Sequence, residues 1–171
     1  MWVARVDEGF VFGDLTPSSV ETLKGVPMLL ESADARVRKR LLPETCDDAE
    51  AEEHWREHAV PELERLFLSR AQLVRRDLAG LRAMPESDNK LFLLPDPHAN
   101  AWIAALNAAR LALFELAELT AEAMEADGFA KATPKQQEAL LRIHLLAEIQ
   151  SVLLGDVDLE SAGGFDEFVT G

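Results

Sequence analysis

Two histidines stand four residues apart in EAEEHWREHAVPELER, residues 50–65, so on a helix His54 and His58 would share a face and could hold one metal ion. Glu50 falls on that face and Glu57 slightly beside it, which gives a His-Glu set with open coordination positions. The order differs from the HExxH of a zinc hydrolase, and a stretch this acidic places some carboxylate beside any histidine. A solvated helical face accounts for the pattern better than a metal site. Trp55, between the histidines, either anchors a partner or tucks beneath the fold.

A second candidate lies near the end of the chain. Asp156, Asp158, Glu160 and Glu167 fall at positions 1, 3, 5 and 12 of a calcium loop, but Ser161 stands where the sharp turn needs glycine. An acidic, flexible tail over residues 156–171 is the better reading.

A third set is expected inside the fold. Arg110 lies near an inward apolar stripe, Asp77 interrupts another, and His144 and Glu148 are one turn apart on the most apolar segment. Buried charges need partners, so Arg110 is expected to pair with Asp77 or Glu148. A pocket around Arg110, His144 and Glu148 would suit a small ligand or acid-base catalysis. No GxSxG, P-loop or GxGxxG accompanies it, so a structural ion pair is preferred, with no catalytic residue and no cofactor.

The elements that would position these residues are mostly helical. WVARVDEGFVF alternates about a Glu8-Gly9 turn and predicts a β-hairpin. Thr16-Pro17 starts a helix of roughly three turns that weakens at Gly25 and Pro27, and a short basic helix is expected over 33–42. From Asp47 to Glu64 there are eight carboxylates and one arginine, and from Arg65 to Arg82 five arginines and one aspartate, the polarity a helix dipole favours. Pro61 predicts a kink or a split there. Leu91–Leu94 reads as a short edge strand able to join the hairpin. Asp96-Pro97 opens the longest predicted helix, to about Asp127, with Trp102, Leu106, Ala109, Leu113 and Leu116 inward. Thr133-Pro134 with Gln136 caps a last helix, apolar nearly all round, that ends at Gly155. The expected fold is mainly α: a bundle of roughly four to six helices with an N-terminal hairpin and room for one extra strand.

A chain of 171 residues, 48% hydrophobic and 28% charged, supports one domain, read as residues 1–155. Its net charge of −14 repels phosphate backbones and anionic lipid, so neither nucleic acid nor membrane is the expected partner. Arg36, Arg38, Lys39 and Arg40 form the one dense basic cluster and read as the solvated end of a short helix. A lone Cys46, no secretion signal and no membrane-length apolar run point to the cytoplasm.

The order of motifs carries a resemblance. A hairpin and helix, then LLPETCDDAEAEEHWREHAVPELER, then LLPDPHANAWIAALNAARLAL, then LAEIQSVLLG, resembles an uncharacterised bacterial family catalogued as a domain of unknown function and best populated in actinobacteria. Its most specific stretch is Trp102, Leu106, Asn107, Arg110 and Leu111; Gln150 also matches, while Ala109 replaces a larger apolar residue and His54 and His58 are not family features. Members are often encoded beside the adaptor of the Clp protease, which implies a place in regulated proteolysis and a protein partner in that pathway, but brings no activity. In that setting Trp102, Asn107 and Arg110 are scaffold residues. The leading expectation is an interaction or regulatory protein, with a homodimer suggested by the all-round apolar last helix. A ligand-binding pocket and the metal site at His54 and His58 are the alternatives.

Overall fold

A computed structural model describes residues 1–125 and 127–155, so the acidic tail, with Asp156, Asp158, Glu160 and Glu167, lies outside the described residues. The alternating N-terminus forms strands β1 (Trp2–Val6) and β2 (Gly9–Leu15), antiparallel with Val6 opposite Gly9. The turn is therefore Asp7-Glu8, one residue earlier than predicted. β3 (Arg82–Ala83) and β4 (Lys90–Pro95) complete a sheet of order β1-β2-β4-β3. The Leu91–Leu94 run joins the hairpin as expected, but as an interior strand and not an edge. Its lack of alternation suits a strand with apolar neighbours on both faces.

Six helices are present among the described residues, five of them in the expected order. Thr16 caps α1 (Pro17–Leu30), which runs past Gly25 and Pro27, and Asp34 caps α2 (Ala35–Leu41). α3 (Ala49–Leu78) is one 30-residue helix, not two, despite Pro61. The missing Pro61 amide would have bonded the carbonyl of Glu57, and both residues are exposed, where solvent can satisfy a carbonyl that the helix does not.

α4 (Ala99–Leu116) stops well short of Asp127. The Glu118 amide donates to the Glu115 carbonyl and the Leu119 amide to Phe114, with Glu118 at φ 54, the bonding pattern of a Schellman end. The turn sends Leu119 back into the core. Gly128, predicted as a stop, instead begins the short α5 (Gly128–Lys131). α6 (Pro134–Leu154) has the predicted capping box at Thr133 and Gln136 and ends at Gly155 in the left-handed region.

The core joins sheet and helices through a stack of rings. Phe12 lies on Phe92, and Phe92 on Trp102, each at 5.5 Å between centroids. Ala105, Ala109 and Ala112 are buried and let α4 pack closely on α6. α6 itself is buried along one side only: Leu141 and Leu154 are more than half exposed, and His144 and Glu148 face out.

The basic cluster is exposed on the short helix, as expected, and its guanidiniums also reach carboxylates of neighbouring elements. Arg36 pairs with Asp34 and Glu118, Arg38 with Glu64, and Arg40 with Glu115, so α2 is clamped between α3 and the end of α4. The Arg36 side chain bonds the Asp34 carboxylate and the Arg36 amide adds a second bond, holding that carboxyl at about 2 against an ordinary 3.8. A carboxyl lowered on folding stabilises the fold above its unfolded value, and this contribution is lost as pH falls from 3.8 through about 2. Asp34→Asn keeps a good cap and removes the charge. It is expected to melt below the natural chain near pH 7 and to converge with it by about pH 2. A melting difference that stays constant from neutral to acid pH would contradict this.

Candidate functional site

A largely buried polar arrangement is built where α3 ends against the start of α4. Asp77, in the last turn of α3, has a side chain only 5% exposed. Its Oδ2 accepts from Trp102 Nε1 at 2.9 Å and faces His98 Nδ1 at 2.9 Å. His98 Nε2 lies 3.0 Å from Arg76 Nη2. A carboxylate beside Nδ1 calls for a donor there, and a guanidinium beside Nε2 calls for an acceptor, which fits the tautomer with its proton on Nδ1. The pair is placed by β4: after Pro95, Asp96 begins a 3-10 turn, and its carboxylate bonds Arg5 of β1. That Arg5 side-chain bond holds the Asp96 carboxyl below the usual carboxylate range.

An aspartate behind a histidine can orient a base, yet His98 Nε2 meets a guanidinium and not a hydroxyl or thiol. The node therefore works as a lock: one carboxylate joins the end of α3 to the start of α4 and satisfies the indole N–H inside the core. Asp77 was singled out by its place in an apolar stripe. His98 was missed, and the only sequence signal for it was its position two residues after Asp96 in LLPDPHANAW.

The other predicted polar residues do not converge. Arg110 bonds neither Asp77 nor Glu148: its Nη1 donates to Gln150 Oε1 at 2.6 Å, and Gln150 Nε2 reaches the Ile103 carbonyl at 3.4 Å. Arg110 Nε is buried with no hydrogen-bond partner among the described residues. A half-buried guanidinium can meet a neutral amide oxygen because its remaining charge still reaches water, which removes the need for a carboxylate. His144, Glu148 and Asn107 are exposed, on faces that the α4–α6 contact does not use. Grooves of about 390 Å³, lined by Lys24, Pro27, Arg75 and Leu81, and about 150 Å³, lined by Leu41, Leu42, Phe67 and Leu68, include none of these groups.

His54 and His58 do share a face, with ring centroids 4.4 Å apart, and His58 Nε2 lies 3.7 Å from Glu57. Both are exposed. Among the described residues no three histidine, cysteine or carboxylate side chains come together to hold a metal ion, so Glu50 does not complete the set. Trp55 is half-buried and its Nε1 is shielded with no partner among the described residues, so it tucks in.

What sets this helix apart is its first part. From Ala49 to Arg70, α3 buries no side chain fully; Ala71 is the first that it does. Glu50, Glu53 and Glu57 stand exposed along one side, and Leu66 and Leu68 are 47% and 48% exposed. Glu52 turns back to accept from the amides of Thr45 and Cys46, which lowers its carboxyl below the usual range and ties the preceding loop to the helix.

A family model described as a domain of unknown function (DUF2017) matches residues 11–156. No curated protein and no solved structure matches the chain.

Proposed function

The chain belongs to the DUF2017 family of domains of unknown function, and from that premise we propose that it is a cytoplasmic protein-interaction module whose acidic α3 arm engages a protein partner in regulated proteolysis, in the Clp pathway. The observation that carries this is the arm itself: more than half of a 30-residue helix adds no fully buried side chain to the core, while it displays carboxylates and two exposed leucines. Isolated helix is held by packing more than by propensity, so an arm kept outside the core is better explained by a surface it meets than by the fold it leaves. Its charge selects a basic partner and speeds the encounter. No helix among the described residues is long and apolar enough to cross a membrane.

The test replaces Glu50, Glu53 and Glu57 by glutamine, leaving the Asp48 cap in place. Recovery of the bound protein from cytoplasmic extract is expected to fall at least about tenfold, with helix content unchanged by circular dichroism, and to fall for the natural chain as salt rises. Equal recovery by the two proteins would remove the arm as the binding element.

A further inference from the structure

The exposed side of the α3 arm runs into an apolar groove. At 3.6 residues per turn, Glu50, Glu53, Glu57, Glu64 and Leu68 fall within roughly 60° of one another around α3. Where that side reaches α2 it borders a groove of about 150 Å³. The groove is lined by the buried Leu30, Val37 and Leu42 and the half-buried Leu41 and Phe67, with Leu68 48% exposed. Its charges cancel, since Glu31 is held by Arg75 and Glu64 by Arg38. Along the arm, Glu52 holds Arg56 and Glu62 holds Arg65. Among the described residues Glu50 and Glu53 have no ion pair, and Glu57 has only His58 at 3.7 Å. The preceding loop adds Glu44, Asp47 and Asp48 and no cation. Arg70 and Lys39, which form no ion pair among the described residues, stand off this stripe. Arg70 lies over the Phe67 ring on the side away from Leu68, and Lys39, two residues past the buried Val37, is on the far side of α2.

Resting on the reading of the arm as a binding element, we propose that this side of α3 takes an amphipathic helix of another protein. Its lysines or arginines lie over Glu50, Glu53 and Glu57, and apolar side chains at its other end seat beside Leu68 in the groove. The free carboxylates and the groove occupy opposite ends of one stripe, which fixes which end of the partner is basic. From Glu50 to Leu68 the stripe is roughly 27 Å long, about five turns of helix. Its steps of three and four residues match a second helix laid alongside, whose own side chains recur at that interval. An extended segment repeats every second residue and seeks a strand edge instead. The groove lies below the roughly 300 Å³ of small-molecule pockets and suits one or two apolar side chains. A second copy fits poorly, because it brings the same carboxylates, a net charge of −14 and a basic helix whose arginines are already paired.

Isothermal titration of the full chain with a synthetic helical peptide tests this. The peptide has about 20 residues, with three lysines at i, i+3 and i+7 and two leucines on the same face at the other end, and is made in both sequence orders. One order is expected to bind. Leu68→Asp, and glutamine at Glu50, Glu53 and Glu57, are each expected to weaken it at least about tenfold while keeping the circular dichroism of the natural chain. Leu66→Asp is the control: Leu66 is 47% exposed but roughly 200° around the helix from Leu68, and its change is expected to leave binding as it was. Binding by neither order overturns the proposal, as does equal binding to Leu68→Asp or to a peptide broken by a central proline. A mass that doubles by light scattering, and does so only while Leu68 is present, puts a second copy in the groove and also overturns it. If Leu68→Asp keeps the protein captured from extract while the glutamine variant loses it, the arm stands as the binding element and the groove falls. If neither loses it, both fall.

Discussion

Trp102→Ala is expected to destabilise the fold by about 4 to 6 kcal/mol, enough to leave much of the chain unfolded at room temperature. Trp102 is 0% exposed, the largest of the fully buried side chains, and ends the ring stack that joins the sheet to α4. Emptying such a site costs about 3 to 5 kcal/mol in lost transfer energy and residual cavity. A further 1 kcal/mol or so comes from the Asp77 carboxylate, which loses one donor in a place only 5% open to water. Trp102→Phe keeps one aromatic ring in the stack while deleting the donor and part of the indole volume, and a smaller loss, about 2 to 3 kcal/mol, is expected for it. Urea unfolding followed by circular dichroism measures both. A double-mutant cycle with Asp77→Asn should return a coupling of about 1 kcal/mol or more. Additivity of the two changes would mean that the indole and the carboxylate are neighbours without being a unit.

Features written in local residue chemistry were legible from the sequence. Thr16-Pro17 and Thr133-Pro134-Gln136 announce helix starts because the cap and its partner lie within four residues of each other. The hairpin and the Leu91–Leu94 strand follow from alternation and apolar content. The end of α4 was missed because a Schellman turn normally shows a glycine, and here Glu118 takes the left-handed position. Of the two outcomes Pro61 allowed, the split does not occur: a residue that breaks buried helices is tolerated where it and the residue whose carbonyl it frees are exposed.

The polar site shows a different limit. Asp77, Trp102, Arg110 and Gln150 were all named from sequence, but their pairing was assigned by charge, which sent Arg110 to a carboxylate. Asp77 and its partners His98 and Trp102 are 21 and 25 residues apart, and Arg110 and Gln150 are 40 apart, so tertiary packing alone decides who meets whom. Apolar content likewise placed His144 and Glu148 inside. α6 offers its core side to α4, α1 and α5, and among the described residues Leu141 and Leu154 stay more than half exposed.

Gly9→Ala is the second substitution expected to do great damage, although it adds one methyl group. Gly9 begins β2 opposite Pro95 at φ 153, and a Cβ there would stand 2.1 Å from the Leu94 carbonyl oxygen and 2.9 Å from the Asp96 amide nitrogen. Both are backbone atoms, so no side-chain rotation relieves the contact; β2 and β4 must separate. Overpacking and backbone strain each cost about 1 to 3 kcal/mol, so about 2 to 6 kcal/mol of destabilisation is expected. The injury should also spread, because the Asp96 amide donates to Glu8 across this turn and the Asp96 carboxylate holds Arg5, just ahead of His98. Gly25→Ala is the internal contrast. It sits inside α1 with nothing within 4 Å of its added Cβ, and the change is expected to stabilise the fold by about 0.5 to 1 kcal/mol. Denaturation curves that show the two alanines acting alike would mean that the close approach of β2 and β4 at Gly9 is not what the sheet depends on.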